Sequence, residues 1–344
     1  MDEEILFVGP KADQGGPAIK NTIMIQELEK KTDLKIYNTY DRKVHTRLGA
    51  IWAIMCGKQH YIIVSVSRKG RNLLYPFLLL RKKMNGARYC CVVIGGNVEN
   101  SFHFKSAIKA MQKADMVTVE TQGIQKSLID AYDLKNVYWL PNYKLLDKNN
   151  IHVNASGRFQ ESTIRFLFLS SMRNSKGVKT LINAFENVLR EGYDVELDFY
   201  GPIRDDFDQS ILDDIAHKDR IRYCGSVNNS QVLSTMQQYH VFVFPTEYKG
   251  EGFPAVLVEA MAAGLPVIAS DMNYNPEIIR DGRNGWIFAH GNVEELSNCI
   301  QTCVQNRDIM EKISKNNLND VSQYEASDVL EAFAEKLRML GWPL

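Results

Sequence analysis

Residues 241–271 constrain this chain more than any other stretch, because they read as strand, loop, helix and strand in immediate succession. Residues 241–244 and 267–269 are short apolar runs of the kind that fill a parallel sheet covered on both faces. Between them, Pro254 falls where the first turn of a helix tolerates proline, and Gly264 falls where a helix stops. Across residues 255–263 only Glu259 is polar, so the helix is expected to be buried nearly all round. A carboxylate there needs a partner. Glu251 lies eight positions earlier, in a glycine-flanked loop feeding the helix N-terminus, whose free N–H groups and dipole favour an anion. One acid therefore sits beside a phosphate-type pocket and a second projects about two turns along. Taken singly, each acid fits a loop cap or a partner for a buried Arg or Lys equally well.

The same alternation runs through the whole chain. Residues 5–8, 34–40, 61–66, 89–94, 116–119 and 137–140 read as strands with amphipathic segments between them. After a polar, aperiodic linker at 144–163 the pattern resumes at 165–169, 195–200, 221–224, 241–244, 267–269 and 286–288. The expectation is an α/β protein of two Rossmann-like, doubly wound parallel-sheet domains. The first is placed at residues 1–150, the second at 164–322, and a terminal helix in 323–344 is expected to cross back to the first domain. A chain of 344 residues has room for both cores.

Formal charge is zero, yet residues 1–150 carry 23 Lys/Arg against 14 Asp/Glu and the remainder 18 against 27. Acidic residues at 2–4 do not suit a signal peptide, and no apolar run reaches the ~20 residues that span a bilayer. The six cysteines show neither CxxC nor zinc spacing and are expected to be buried, reduced thiols. A cytoplasmic protein is the expectation.

Several positions could carry chemistry. Gly15 and Gly16 follow the first strand and open a helix, letting a ligand approach backbone. Arg173 and Lys176 follow the first strand of the second half, at the end of a parallel sheet where ligands bind. A guanidinium can fork onto phosphate and an ammonium can act as a point charge, although a solvated helix start would look the same. Asp206 and Asp208 match a DxD metal pattern, but their acidic, exposed setting argues against a metal.

Glu251 and Glu259 with seven residues between them, followed by Ala-Met-Ala-Ala-Gly-Leu-Pro-Val-Ile-Ala-Ser-Asp, resemble the signature of family-4 retaining glycosyltransferases. The resemblance implies a GT-B fold, two Rossmann-like domains facing a central cleft, and a nucleotide-sugar donor used without metal or other cofactor. It implies that Arg173 and Lys176 hold the donor diphosphate opposite Gly15 and Gly16. Glu251 would accept hydrogen bonds from the transferred sugar, and the backbone at Gly252, Phe253 and Pro254 would meet sugar or phosphate. Glu259 would hold the ribose, Val227 would lie near the base, and His103 is the nearest candidate for a histidine near the reacting sugar. Asn273-Tyr274-Asn275-Pro276-Glu277 departs from the family pattern, which has glycine shortly before that glutamate.

The function so implied is transfer to a glycan acceptor, lipid-linked, in bacterial surface polysaccharide synthesis. The basic first half would rest peripherally on an anionic membrane, through Lys105, Lys109, Lys113 and the cations flanking residues 73–80; no nucleic-acid partner is expected. A soluble transferase with a non-lipid acceptor, and a GT-B binding module without catalysis, are the alternatives.

Overall fold

The strands β1 (Ile5–Gly9), β2 (Leu34–Asn38), β3 (Tyr61–Val66), β4 (Arg88–Val93), β5 (Met116–Val119) and β6 (Val137–Trp139) form one parallel sheet, in the order β2-β1-β3-β4-β5-β6. A second parallel sheet has the order β12-β11-β10-β7-β8-β9, from β7 (Ile164–Leu169), β8 (Val195–Tyr200), β9 (Ile221–Tyr223), β10 (Val241–Phe244), β11 (Val267–Ser270) and β12 (Gly285–Phe288). The computed structural model describes residues 4–12, 15–40, 45–96, 98, 102, 104–146 and 157–344, the side chains of 45–47 excepted. All twelve expected strands are present, within a residue or two of the expected ends.

The chain forms two compact units: Met1–Leu145 with Gly250–Phe253 and Tyr324–Leu344, and Leu146–Lys249 with Pro254–Gln323. In the first, the strands alternate with α1 (Gly16–Glu29), α2 (His45–Cys56), α3 (Arg68–Asn85), α4 (Lys105–Lys113) and α5 (Gln122–Tyr132). In the second they alternate with α6 (Val178–Arg190), α7 (Gln209–Ile215), α8 (Val232–Met236), α9 (Ala255–Ala262), α10 (Asn275–Ile278), α11 (Val293–Gln305) and α12 (Arg307–Asp320). The inner strands β1, β3, β4, β5, β10 and β11 are nearly continuous buried runs, as in a parallel sheet covered by helices on both faces.

The final helix α13 (Ala326–Met339) groups with the first unit. Its apolar face (Val329, Leu330, Phe333, Leu337) joins the core formed by Phe7, Met24 and Ile63, and it packs on α1. Asp115 pins the end of the chain: it accepts from Trp342 Nε1 at 3.0 Å and pairs with Arg88, which also donates to the carbonyl of Leu340.

Each sheet has one place where the strand order reverses. In the first, β1 sends its chain one way to β2 and the other way to β3; in the second, β7 stands in the same relation to β8 and β10. The crevice outside the carboxyl ends at such a reversal is where open parallel sheets take ligands. The loops after β1, β7 and β10 border these two reversals.

Two expectations need correction. Of the six cysteines only Cys90, Cys91 and Cys303 are buried, Cys299 is half-buried, and Cys56 and Cys224 are exposed; all six are free thiols. Two cations flanking residues 73–80 face inward instead of toward solvent. Arg71 donates to the carbonyl of Ile94, and Arg81 reaches the carbonyls of Met55 and Gly57, so neither can meet a membrane.

Candidate active site

In the second unit, β7 runs into Ser170–Ser171–Met172 and then a single 3-10 turn, Asn174–Lys176, that hands over to α6. The hinge is Gly177, at φ +71, where an added Cβ would stand 1.9 Å from the carbonyl oxygen of Pro245. Only glycine permits both the left-handed backbone and that contact. The close approach brings the segment after β10 alongside the start of α6: Glu247 N–H donates to Ser175 O at 2.9 Å, and Thr180 Oγ1 donates to Glu247 Oε1 at 2.7 Å. Lys176 Nζ stands 5.8 Å from the Phe244 ring centre and 5.2 Å from that of Tyr248, so two aromatic faces hold the ammonium at the strand ends. Sequence carries no signal for Glu247 and Tyr248, because their partners lie about 70 residues away along the chain.

Arg173 Nη1 meets Asp206 Oδ2 at 3.2 Å. Both side chains are close to half exposed, 44% and 50%, so the pair is worth about 0–1 kcal/mol and yields readily to a stronger anion. The other members of the DxD-like triplet have structural tasks. Phe207 is buried in the core, and Asp208 caps α7 by accepting from Ser210 N–H at 3.0 Å. The hydroxyl and N–H of Ser210 hold the Asp208 carboxyl below its usual range. Among the described residues, no three His, Cys, Asp or Glu side chains gather in a metal-binding arrangement.

Glu259 departs from expectation. Helix α9 is not buried all round: Leu257, Val258, Ala260, Met261 and Ala262 are inside, while Ala255, Val256 and Glu259 form one half-open stripe. Those three share a face because positions three and four apart neighbour one another. Pro254 stands at the N-cap, just outside the first turn. At the other end Gly264, at φ +67, closes a Schellman motif, with its N–H on Met261 O and that of Leu265 on Ala260 O.

At the divergent segment, Asn273 takes φ +52 and its Nδ2 donates to Tyr248 O at 3.0 Å. Asparagine tolerates left-handed backbone better than most residues with a Cβ, which suits it to this turn. Val227 is half-exposed in the loop after β9, beyond Gly225 at φ +81.

In the first unit, Gly15 is the N-cap of α1 at φ +86, and an added Cβ on Gly16 would meet nothing within 4 Å. Both glycines are exposed at the end of β1. Asn21 ties this region together, donating to Pro10 O and Ser65 O and accepting from Ser65 Oγ, across the β1/β3 reversal.

Glu251, Gly252 and Phe253 belong to this first unit, apart from Arg173, Lys176, Val227, Pro254 and Glu259. Gly96 N–H donates to Gly250 O at 3.3 Å, and an added Cβ on Gly96 would lie 1.9 Å from Glu251 O. Phe253 packs edge-on against Tyr324, and its carbonyl accepts from Asn142 Nδ2 at 3.0 Å. The half-buried Glu251 is thus carried on a backbone held on several sides. His103 lies outside the described residues.

Residues 152–320 match the family described as glycosyl transferases group 1. The chain is 24% identical over 267 residues to the poly(ribitol-phosphate) alpha-N-acetylglucosaminyltransferase of Staphylococcus aureus (strain COL), covering 75% of this chain and 52% of that one. It is 24% identical over 265 residues to the capsular polysaccharide biosynthesis glycosyltransferase CapM of Staphylococcus aureus, covering 74% and 63%. The chain thus spans about half of the first relative's length and less than two thirds of the second's. The crystal structure of Anabaena Alr3699/HepE in complex with UDP has the same fold, with a TM-score of 0.76 over 98% of this chain and 100% of that one at 17% identity.

Proposed function

From the match of residues 152–320 to the glycosyl transferases group 1 and the GT-B fold of the chain, we propose that the protein is a retaining, metal-independent glycosyltransferase. It moves a sugar from a nucleotide-sugar donor to a lipid-linked glycan acceptor in bacterial surface polysaccharide synthesis. The reading is carried by Arg173 and Lys176, two cations at the reversal point of the second sheet beside the start of α6. Departure of a nucleoside diphosphate builds negative charge, and fixed cations with oriented backbone N–H groups stabilise that charge without a metal. Arg173 leaves Asp206 for the diphosphate, and Lys176 is already held in place by its two rings. Glu251 accepts hydrogen bonds from the transferred sugar, the backbone at Gly252, Phe253 and Pro254 meets sugar or phosphate, and Glu259 takes the ribose hydroxyls. Gly15 and Gly16 offer backbone to the diphosphate, and Val227 lies near the base. The acceptor enters on the face that the diphosphate leaves, which retains the anomeric configuration.

The membrane part of the reading is supported by apolar side chains in solvent. Helix α3 exposes Leu73, Leu80 and Met84, and α2 exposes Leu48 and Trp52, each of these two 67% accessible. Helix α3 packs against both α2 and α4, and α4 carries the exposed Lys105, Lys109 and Lys113. Apolar anchors beside lysines suit an anionic leaflet. Among the described residues, no helix is long and apolar enough to cross a membrane.

The test is a thermal-shift screen over nucleotide sugars, followed by assay of diphosphate release and of the product's anomeric configuration in excess EDTA. One nucleotide sugar should raise Tm by several degrees, since it binds only the folded chain. Turnover should persist in EDTA and the anomer should be retained. Activity that vanishes in EDTA and returns with manganese would overturn the metal-free mechanism, and an inverted product would overturn retention.

A further inference from the structure

A buried ion pair stands directly behind the Glu251 loop. Lys20 Nζ on α1 meets Glu120 Oε1 at the end of β5 at 2.9 Å, with both side chains 4% exposed. The second carboxylate oxygen accepts from Gly95 N–H at 2.8 Å. An added Cβ on Gly252 would come within 2.7 Å of Glu120 Oε2 and 2.8 Å of the Gly95 carbonyl carbon. The residue after Glu251 is therefore pressed onto the carboxylate and onto the glycine that the carboxylate holds. Gly96, next in the chain, fixes Gly250 and lies against the Glu251 carbonyl.

Lys20 is itself fixed. Its ammonium lies 5.2 Å from the Tyr143 ring centre, and Tyr143 donates its hydroxyl to Lys20 O at 3.1 Å. Burial, with the Glu120 charge nearby, keeps that phenol protonated and able to donate. A buried ion pair is a poor way to gain stability, because desolvation of two charges offsets most of their attraction, whereas its directional bonds can hold one geometry against others. The two charged groups thus tie α1 and the end of β5 to the Gly95 backbone, against which Gly252 lies.

We propose that Lys20 and Glu120 are positioning residues for Glu251: the pair holds Gly95–Gly96, and through them the 250–253 backbone, at the placement the sugar-facing carboxylate requires. The inference rests on the role given to Glu251 above. It is tested by hydrogen–deuterium exchange on the whole protein, which needs no donor, together with turnover on the nucleotide sugar that the screen selects. Two variants are compared with wild type: Lys20→Met/Glu120→Met, which removes both charges, and Glu120→Asp, which keeps the charge but withdraws it from Gly95. In both, exchange at 250–253 and 95–96 should rise at least tenfold while the core strands of both units keep their protection. The value of kcat should fall at least tenfold, with donor KM within threefold. If either variant is folded and its 250–253 exchange stays within twofold of wild type, the proposal is overturned; should the double variant not fold, Glu120→Asp decides alone. Glu251→Gln is assayed alongside. Normal turnover in that variant removes the role of Glu251, while the exchange result still judges whether the pair holds the loop.

Discussion

At the scale of single residues, the proposed site depends on groups whose placement is fixed by glycines. Gly177 lets the segment after β10 reach α6, and Gly96 lets the Glu251 loop settle against the segment that follows β4. The charged groups these contacts present should matter for rate more than for folding. Glu251→Gln and Lys176→Ala are each expected to lower kcat by about two orders of magnitude or more, as for groups acting on transition-state charge. Melting temperatures should stay near that of wild type, since both side chains are only half-buried. A folded Lys176→Ala protein with near-normal kcat would remove that ammonium from the mechanism. Both residues were legible in the sequence because short motifs surround them. Lys20 and Glu120 were not: they are 100 positions apart, and neither has an informative neighbour.

At the scale of elements, the approach to β7 carries a pH-sensitive joint. His240, just before β10, is fully buried; its Nδ1 accepts from Arg165 N–H at 2.9 Å, and its Nε2 lies 2.9 Å from Arg158 O. Those two partners suit the neutral ring with its proton on Nε2. Burial pulls the pKa down from 6.5 to about 4, against the opposing charge of Glu161. With the folded value depressed, the unfolded chain takes up the proton first as pH falls. The stabilisation is complete above about pH 6.5 and is lost progressively toward about pH 4, a loss of about 3 kcal/mol by linkage. Denaturant melts between pH 7 and pH 4.5 should show His240→Gln losing less stability than wild type over that range. Equal slopes for the two proteins would exclude His240 as the cause.

At the scale of the whole molecule, basic excess and exposed apolar side chains are both found in the first unit. The protein should bind anionic vesicles at low salt and release them as ionic strength rises, because screening shortens the reach of surface lysines. Trp52→Ser with Leu80→Ser should weaken binding severalfold at every salt concentration. Lys105, Lys109 and Lys113 changed together to Glu should abolish the salt-sensitive part, with donor binding unaffected in both cases. A wild-type protein that ignores anionic vesicles even at low salt would favour a non-lipid acceptor. The lysines of α4 were legible from their spacing. The exposed apolar side chains of α2 and α3 were not, because apolar residues at helical spacing read the same whether they face a core or solvent.

The sequence alone determined the number, order and parallel pairing class of the strands, because an apolar run of the right length between amphipathic segments has few other ways to bury itself. It also determined which loops carry Arg173, Lys176 and Glu251. Only the tertiary structure decided which strands are neighbours, and so where each sheet reverses its order. It decided too that Arg71 and Arg81 turn inward, that Glu259 lies on a half-open stripe, and that the Glu251 loop groups with the first unit. Burial and ion pairing depend on groups distant along the chain, and those distances close only when the core of each unit has packed. Local propensity acts over a few residues; the Lys20–Glu120 contact spans 100.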